Sequence, residues 1–203
     1  EIATQEGHSC ALLFDKSVRC WGAGEYIGVP GAPSRVGDSE PPTSIGPVPL
    51  GGTAEAIAGG NFLSCAILTS GAVRCWGDAT SGQRGLGNQN AIGDDEDPAS
   101  VGPVPLGPDR TAQKIDAGRF HSCALLDNSS VRCWGKRQAI PGQAETIGDD
   151  EPASSGPLLT AADFGGSKPI ALTAGDDATC ALTEAGDIWC WGQGEPSRWS
   201  TGS

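Results

Sequence analysis

The chain has 203 residues and a formal net charge of -12, with 31 glycines, 15 prolines and no methionine. No apolar run reaches membrane-spanning length, which excludes a spanning helix and predicts no membrane insertion. A chain this acidic repels nucleic acid and anionic lipid, so a basic ligand, a basic protein surface or cations are the matching partners.

Eight cysteines fall into four pairs of identical spacing: Cys10/Cys20, Cys65/Cys75, Cys123/Cys133 and Cys180/Cys190. Each pair closes with Cys-Trp-Gly, and the first members recur at intervals of 55, 58 and 57 residues. A period of this length marks a stacked repeat. The expected organisation is one repeat array over 1–203, with approximate repeats 1–45, 46–101, 102–155 and 156–203.

In chain order, the first repeat reads His8-Ser-Cys-Ala-Leu-Leu13, a turn Phe-Asp-Lys, then Ser17-Val-Arg-Cys-Trp-Gly22. The second, third and fourth repeat this with turns Thr-Ser-Gly71, Asp-Asn-Ser129 and Glu-Ala-Gly186. Two short apolar runs around a three-residue turn predict a β-hairpin. That turn sets Leu12 opposite Val18 and Cys10 opposite Cys20. Opposed residues of an antiparallel pair are within disulfide reach, so one disulfide is expected inside each hairpin. Histidine precedes the pair in His8-x-Cys10 and His121-x-Cys123, but Leu63 and Ala178 hold that place in the other copies, and the cysteine spacing is not that of a zinc site. The histidines are read as strand residues packed between units.

Before each of the later three hairpins stands a small apolar segment ending in glycine, such as Ala56-Ile-Ala-Gly-Gly60. Earlier still lies Gly-Pro-Val-Pro-Leu at 46–50 and 102–106, or Gly156-Pro-Leu-Leu159. Its prolines suit an edge strand, so each unit is expected to have four strands with this one outermost. Because the chain ends soon after its fourth hairpin, no outer strand is expected there. Alternation turns Cys10, Leu12, Val18 and Cys20 to one side and Ala11, Leu13, Arg19 and Trp21 to the other. Both sides are apolar, so both are expected to be covered by neighbouring sheets, as in a β-propeller. Trp21, Trp76, Trp134 and Trp191 recur as blade packing. Arg19, Arg74 and Arg132 recur as structural positions, expected to stack on tryptophan or pair with a carboxylate.

At these residues the chain resembles the regulator-of-chromosome-condensation repeat family. The family's glycine-rich tail stands in the second copy as Ser81-Gly-Gln-Arg-Gly-Leu-Gly87. The paired cysteines are similar to those of the exported bacterial branch. The resemblance implies an all-β propeller, most often of seven blades, of which four hairpins make a partial ring. The sequence is then either a fragment of a longer ring, or a part that other copies or another chain close, or an open array. The resemblance also implies that propeller faces and loops serve as a binding platform. No functional residues of known members carry over.

An acidic loop also repeats: Val36-Gly-Asp-Ser-Glu-Pro41, Ile92-Gly-Asp-Asp-Glu-Asp97 and Ile147-Gly-Asp-Asp-Glu-Pro152. Clustered carboxylates suit a hard cation, which makes Asp94, Asp95, Glu96, Asp97, Asp149, Asp150 and Glu151 candidate Ca2+ ligands, although a solvated loop has the same composition. Asn128-Ser129-Ser130 is a glycosylation sequon in a hairpin turn. No nucleophile elbow or phosphate loop is present, and no thiol stays free if the disulfides form. The even cysteine count and the start at Glu1 are read as a trimmed, exported protein, secreted or at a cell surface, the periplasm included.

The expected function is therefore non-enzymatic: an extracellular binding or scaffold module for a protein or surface polymer. The alternative is a structural subunit of an extracellular fibre or surface assembly, with self-association completing a ring or running on as an array. A propeller enzyme acting on polysaccharide is a third reading.

Overall fold

The computed structural model describes residues 1–143 and 145–192, together with the backbone of 197–200. Four antiparallel sheets follow one another along the chain. The first blade is β1 (Ile2–Thr4), β2 (His8–Leu12), β3 (Val18–Ala23) and β4 (Arg35–Val36). The second is β5 (Ala54–Gly60), β6 (Leu63–Leu68) and β7 (Val73–Gly77), extended by a bridge from Gly77 to Ile92. The third is β8 (Ala112–Ala117), β9 (His121–Leu126), β10 (Val131–Gly135) and β11 (Leu158–Leu159). The fourth is β12 (Pro169–Ala174), β13 (Ala178–Thr183), β14 (Asp187–Gly192) and β15 (Ser197–Ser200).

The central hairpin of each blade has the register its turn dictates. Cys10 opposes Cys20, Cys65 opposes Cys75, Cys123 opposes Cys133, and Cys180 opposes Cys190. All four pairs are disulfide-bonded, with Cα atoms 4.1 Å apart. The last turn residue is left-handed in every copy: Lys16, Gly71, Ser129 and Gly186 all have positive φ. In the third turn, the Asn128 side chain accepts hydrogen bonds from the backbone N–H and hydroxyl of Ser130.

The proline-rich segments correct one expectation. They run along an outer edge, but the edge of the hairpin before them rather than after. The Val48 N–H donates to Val18 O and the Val104 N–H to Val73 O, while Leu158 and Leu159 pair with Arg132 and Val131. The cause is the path of the chain: a long return loop brings the segment back beside the strand it has just left. The fourth blade corrects another, because β15 pairs along β14 with Ser200 opposite Asp187.

The blades stack in chain order. In blade 2, Leu63, Cys65, Ile67, Val73 and Cys75 face the following blade, while Ser64, Ala66, Arg74 and Trp76 face the preceding one. Trp76 and Trp134 are fully buried. Each lies on a glycine of the preceding blade: a Cβ on Gly28 would meet Trp76 Cδ1 at 2.5 Å, and one on Gly85 would meet Trp134 Cδ1 at 2.7 Å. Gly28 and Gly85 also have positive φ, so no other residue suits these places. The glycine-rich tail is therefore present in the first repeat too, as Gly24-Glu-Tyr-Ile-Gly28, with Tyr26 where the second repeat has Gln83.

Candidate functional site

Strand register fixes two ends for the stack. The turns that join the innermost strand to the hairpin, and the loops that leave its second strand, share one end, since Leu63 pairs with Gly77 and His121 with Gly135. The hairpin turns lie at the other end.

At the first end the inner strands line an open cavity of about 370 Å3. Glu6, Asn61, Arg119 and Asp176 stand at its lining, one from each blade. They share one register, each three residues beyond the partner of a hairpin cysteine: Ala3, Ala58, Asp116 and Thr173. For Asn61, Arg119 and Asp176 the readable signal was a fixed place after the Ala-Gly segment, which sequence reasoning did not use; Glu6 follows Thr4-Gln5 and carries no such mark. Arg119 and Lys136 both lie over the Phe120 ring, at 5.0 and 4.9 Å. Lys136 also approaches Asp177 at 4.0 Å.

The second and third acidic loops leave the outer edge of their blades at this same end, from the bridges Gly77–Ile92 and Gly135–Ile147. They are held by the tail of the preceding blade, since a Cβ on Gly93 would meet Gly28 Cα at 2.5 Å and one on Gly148 would meet Gly82 O at 2.4 Å. Asp94, Asp95 and Glu96 bring carboxylate oxygens within 4.8 Å of one another, and so do Asp149, Asp150 and Glu151. Glu96 is held above the usual carboxylate range by partial burial and then by the Asp95 carboxyl. Glu151 is raised by partial burial and then by Asp150. Asp97 follows the first cluster and its carbonyl takes the Ser100 N–H and hydroxyl.

The two clusters differ in what lies near them. Arg84, fully buried, donates to the Asn88 side chain at 2.9 Å. Burial lowers it to about 10, while Glu96, Asp78 and Asp94 favour its charge. The first cluster is thus partly neutralised from within.

The repeated arginines anchor the exits of these loops. Arg19 donates to Ile45 O, Arg74 to Pro98 O at 3.0 Å, and Arg132 to Ser154 O at 2.8 Å and Gly156 O. Their partners are backbone carbonyls, neither tryptophan nor carboxylate, because the loop turns its carbonyls inward before the proline segment. Trp189 holds this position in the fourth blade, edge-on to Phe164 at 6.3 Å. Trp191 is buried beside the same ring, at 6.1 Å, whereas Trp21 on the first blade is only half-buried.

The histidines bind across blade junctions. His8 Nε2 lies 2.7 Å from Ser64 Oγ, and His121 Nε2 lies 2.7 Å from Thr179 Oγ1. Burial holds both rings down to about 4. No helix among the described residues is long and apolar enough to cross a membrane.

The family model for the regulator of chromosome condensation (RCC1) repeat matches residues 55–83, 112–136 and 170–195. The chain is 23% identical to the RCC1 domain-containing protein RUG3, mitochondrial, of Arabidopsis thaliana, over 94% of this chain and 41% of that protein. It therefore spans less than half of that relative. Among solved structures it is similar to human WBSCR16, with a TM-score of 0.74 and 16% identity over 95% of this chain and 47% of that one. It is also similar to Prp20p of Saccharomyces cerevisiae, with a TM-score of 0.69 and 19% identity over 98% of this chain and 49% of that one. The structure of Prp20p was described together with its binding to Gsp1p and histones. Three stretches of this chain thus match the regulator of chromosome condensation (RCC1) repeat, and its fold is the propeller that these neighbours share.

Proposed function

We propose that this chain is a non-enzymatic binding module that docks a basic protein or peptide on its acidic face. The observation that carries the reading is the gathering of the acidic loops and the axial cavity at one end of the stack. Asp94, Asp95, Asp149 and Asp150 stand there on the loops, with Glu6 and Asp176 at the axis. Such a field steers a cationic partner and repels nucleic acid. That Prp20p binds histones, which are basic, is consistent with this chemistry on the same fold.

The setting we infer is extracellular: secreted, or on a cell surface, in the manner of an exported bacterial protein. Its support is the four disulfides, which persist in oxidising compartments. We take residues 1–203 as one repeat array.

The test is titration of the chain with a lysine-rich peptide by calorimetry at low and high salt. Binding that weakens with salt, and weakens about tenfold or more when Asp94, Asp95, Asp149 and Asp150 become asparagine, is expected. Asp109→Asn with Glu184→Gln at the opposite end leaves it unchanged. Equal loss from both sets, or no binding, overturns the reading. Millimolar calcium added in competition shows whether the same carboxylates also take a hard cation.

A further inference from the structure

Phe62 and Phe120 hold the same place in successive blades. Each directly precedes the first strand of its hairpin, and its carbonyl accepts an N–H from just beyond the second. That N–H belongs to Asp78 for Phe62 and to Lys136 for Phe120, both at 2.8 Å. Both rings are half-buried at the cavity end. Their neighbours differ in charge. The Phe120 ring carries the Arg119 guanidinium at 5.0 Å and the Lys136 ammonium at 4.9 Å. At the matching positions Phe62 has Asn61 and Asp78, an amide and a carboxylate. Among the described residues, the cations placed over an aromatic ring are those two on Phe120.

Phe62 has a second ring and acidic groups around it instead. Tyr26, from the tail of the preceding blade, stacks on it with centroids 4.7 Å apart and planes tilted by 35°. Gly7 leaves room for the pair, since a Cβ there would meet Phe62 Cε1 at 3.0 Å and Tyr26 Cδ2 at 3.8 Å. Phe62 has a left-handed φ of 53°, which bulky side chains rarely adopt and which persists only where the surroundings impose it. The Tyr26 hydroxyl is held above its usual range by partial burial, then by the Glu25 carboxylate, then by Asp78. Asp78 is fixed by hydrogen bonds from the Thr80 hydroxyl at 2.8 Å and the Gln83 amide at 3.1 Å.

We infer that the Phe62–Tyr26 pair is the subsite for a lysine or arginine side chain of the docking partner. The cation rests on the aromatic pair as Arg119 and Lys136 rest on Phe120, with Asp78 and Glu25 as counter-charges. The negative face of an aromatic ring attracts such a group, and more strongly where water is partly excluded. Phe120 is already covered by the chain's own cations, so it does not compete. The inference rests on the reading of the acidic face as a dock for a basic partner, and it names the side chain that this face selects.

Tyr26 is the one tyrosine of the chain, so its ring resonances report this subsite alone. The experiment titrates the 203-residue chain with a lysine-rich peptide, following the Tyr26 ring protons by NMR and the affinity by calorimetry. A saturable Tyr26 shift is expected. Phe62→Leu weakens binding about fivefold, and Phe62→Tyr, which keeps a ring, restores most of it. Phe14→Leu, at a fully exposed aromatic residue in a hairpin turn of the opposite end, leaves it unchanged. The Tyr26 shift is read on the unaltered chain, so it decides even where Phe62→Leu fails to fold. Peptide binding that leaves the Tyr26 resonances in place, or that ignores Phe62→Leu, overturns this inference and leaves the acidic dock standing. No binding at all overturns both.

Discussion

The junction between the second and third blades is closed differently from its two neighbours. On either side, a buried imidazole meets a hydroxyl across the gap, at His8–Ser64 and His121–Thr179. In the middle, Leu63 holds the histidine position, fully buried. Ser122 there has no imidazole to meet and donates instead to Gln83 O at 3.0 Å, as the Trp134 indole does at 2.8 Å. The backbone is the same in all three junctions. The fold therefore needs that position filled, and polarity there is optional, with Nε2 of each ring set against a hydroxyl. The two solutions differ in their response to acid.

The largest effect expected from this difference is acid destabilisation. Both imidazoles stay neutral in the folded chain down to about pH 4, whereas unfolded histidine takes up its proton near 6.5. Between those values the unfolded chain binds more protons. Stability is therefore intact above pH 6.5 and falls as pH drops toward 4, by about 3 kcal/mol for each histidine. Denaturant unfolding followed at pH 7.5, 6, 5 and 4 measures it. His8→Leu with His121→Leu, which copies the middle junction at the outer two, removes this part of the slope. A slope unchanged in that double variant would assign the acid sensitivity to the carboxylates instead.

Next in size is the reverse exchange. Leu63→His places an imidazole opposite Ser122, whose hydroxyl is already committed to Gln83 O. The variant is expected to lose about 2 kcal/mol at pH 7 through lost apolar burial and incomplete pairing, and more in acid. An unaltered midpoint at pH 7 would mean that Ser122 turns to the new ring at no cost.

These contrasts mark what the sequence could reveal. The hairpins, their register and all four disulfides were legible because a fixed turn length leaves one pairing, and the cysteines then face each other. The stacked faces were legible from alternation, and the histidines from their uneven recurrence. The owner of the proline-rich edge was not legible, since Val48 pairs with Val18 through a long return loop that no local pattern specifies. Nor were the arginine partners: carbonyls such as Pro98 O carry no side-chain signature. The first-repeat tail was hidden because only Gly28 survives as its mark, and its reason is the Trp76 ring of the next blade. The acidic loops were legible as charge, but their grouping with Glu6 and Asp176 at one end required the register of the inner strands.

The smallest effects come from the hydroxyls, and they separate the two kinds of junction most finely. Ser64→Ala takes the partner from His8 Nε2 and leaves a buried imidazole nitrogen unpaired, a loss of about 1–3 kcal/mol. Ser122→Ala removes only a bond to a carbonyl that the Trp134 indole still engages, a loss of about 1 kcal/mol or less. In the His8→Leu background the Ser64→Ala cost is expected to fall to that of Ser122→Ala, because the unpaired nitrogen is gone. The double-mutant cycle between positions 8 and 64 reads this directly. A coupling near zero would mean that the buried imidazole gains nothing from the hydroxyl, and that histidine and leucine close these junctions by packing alone.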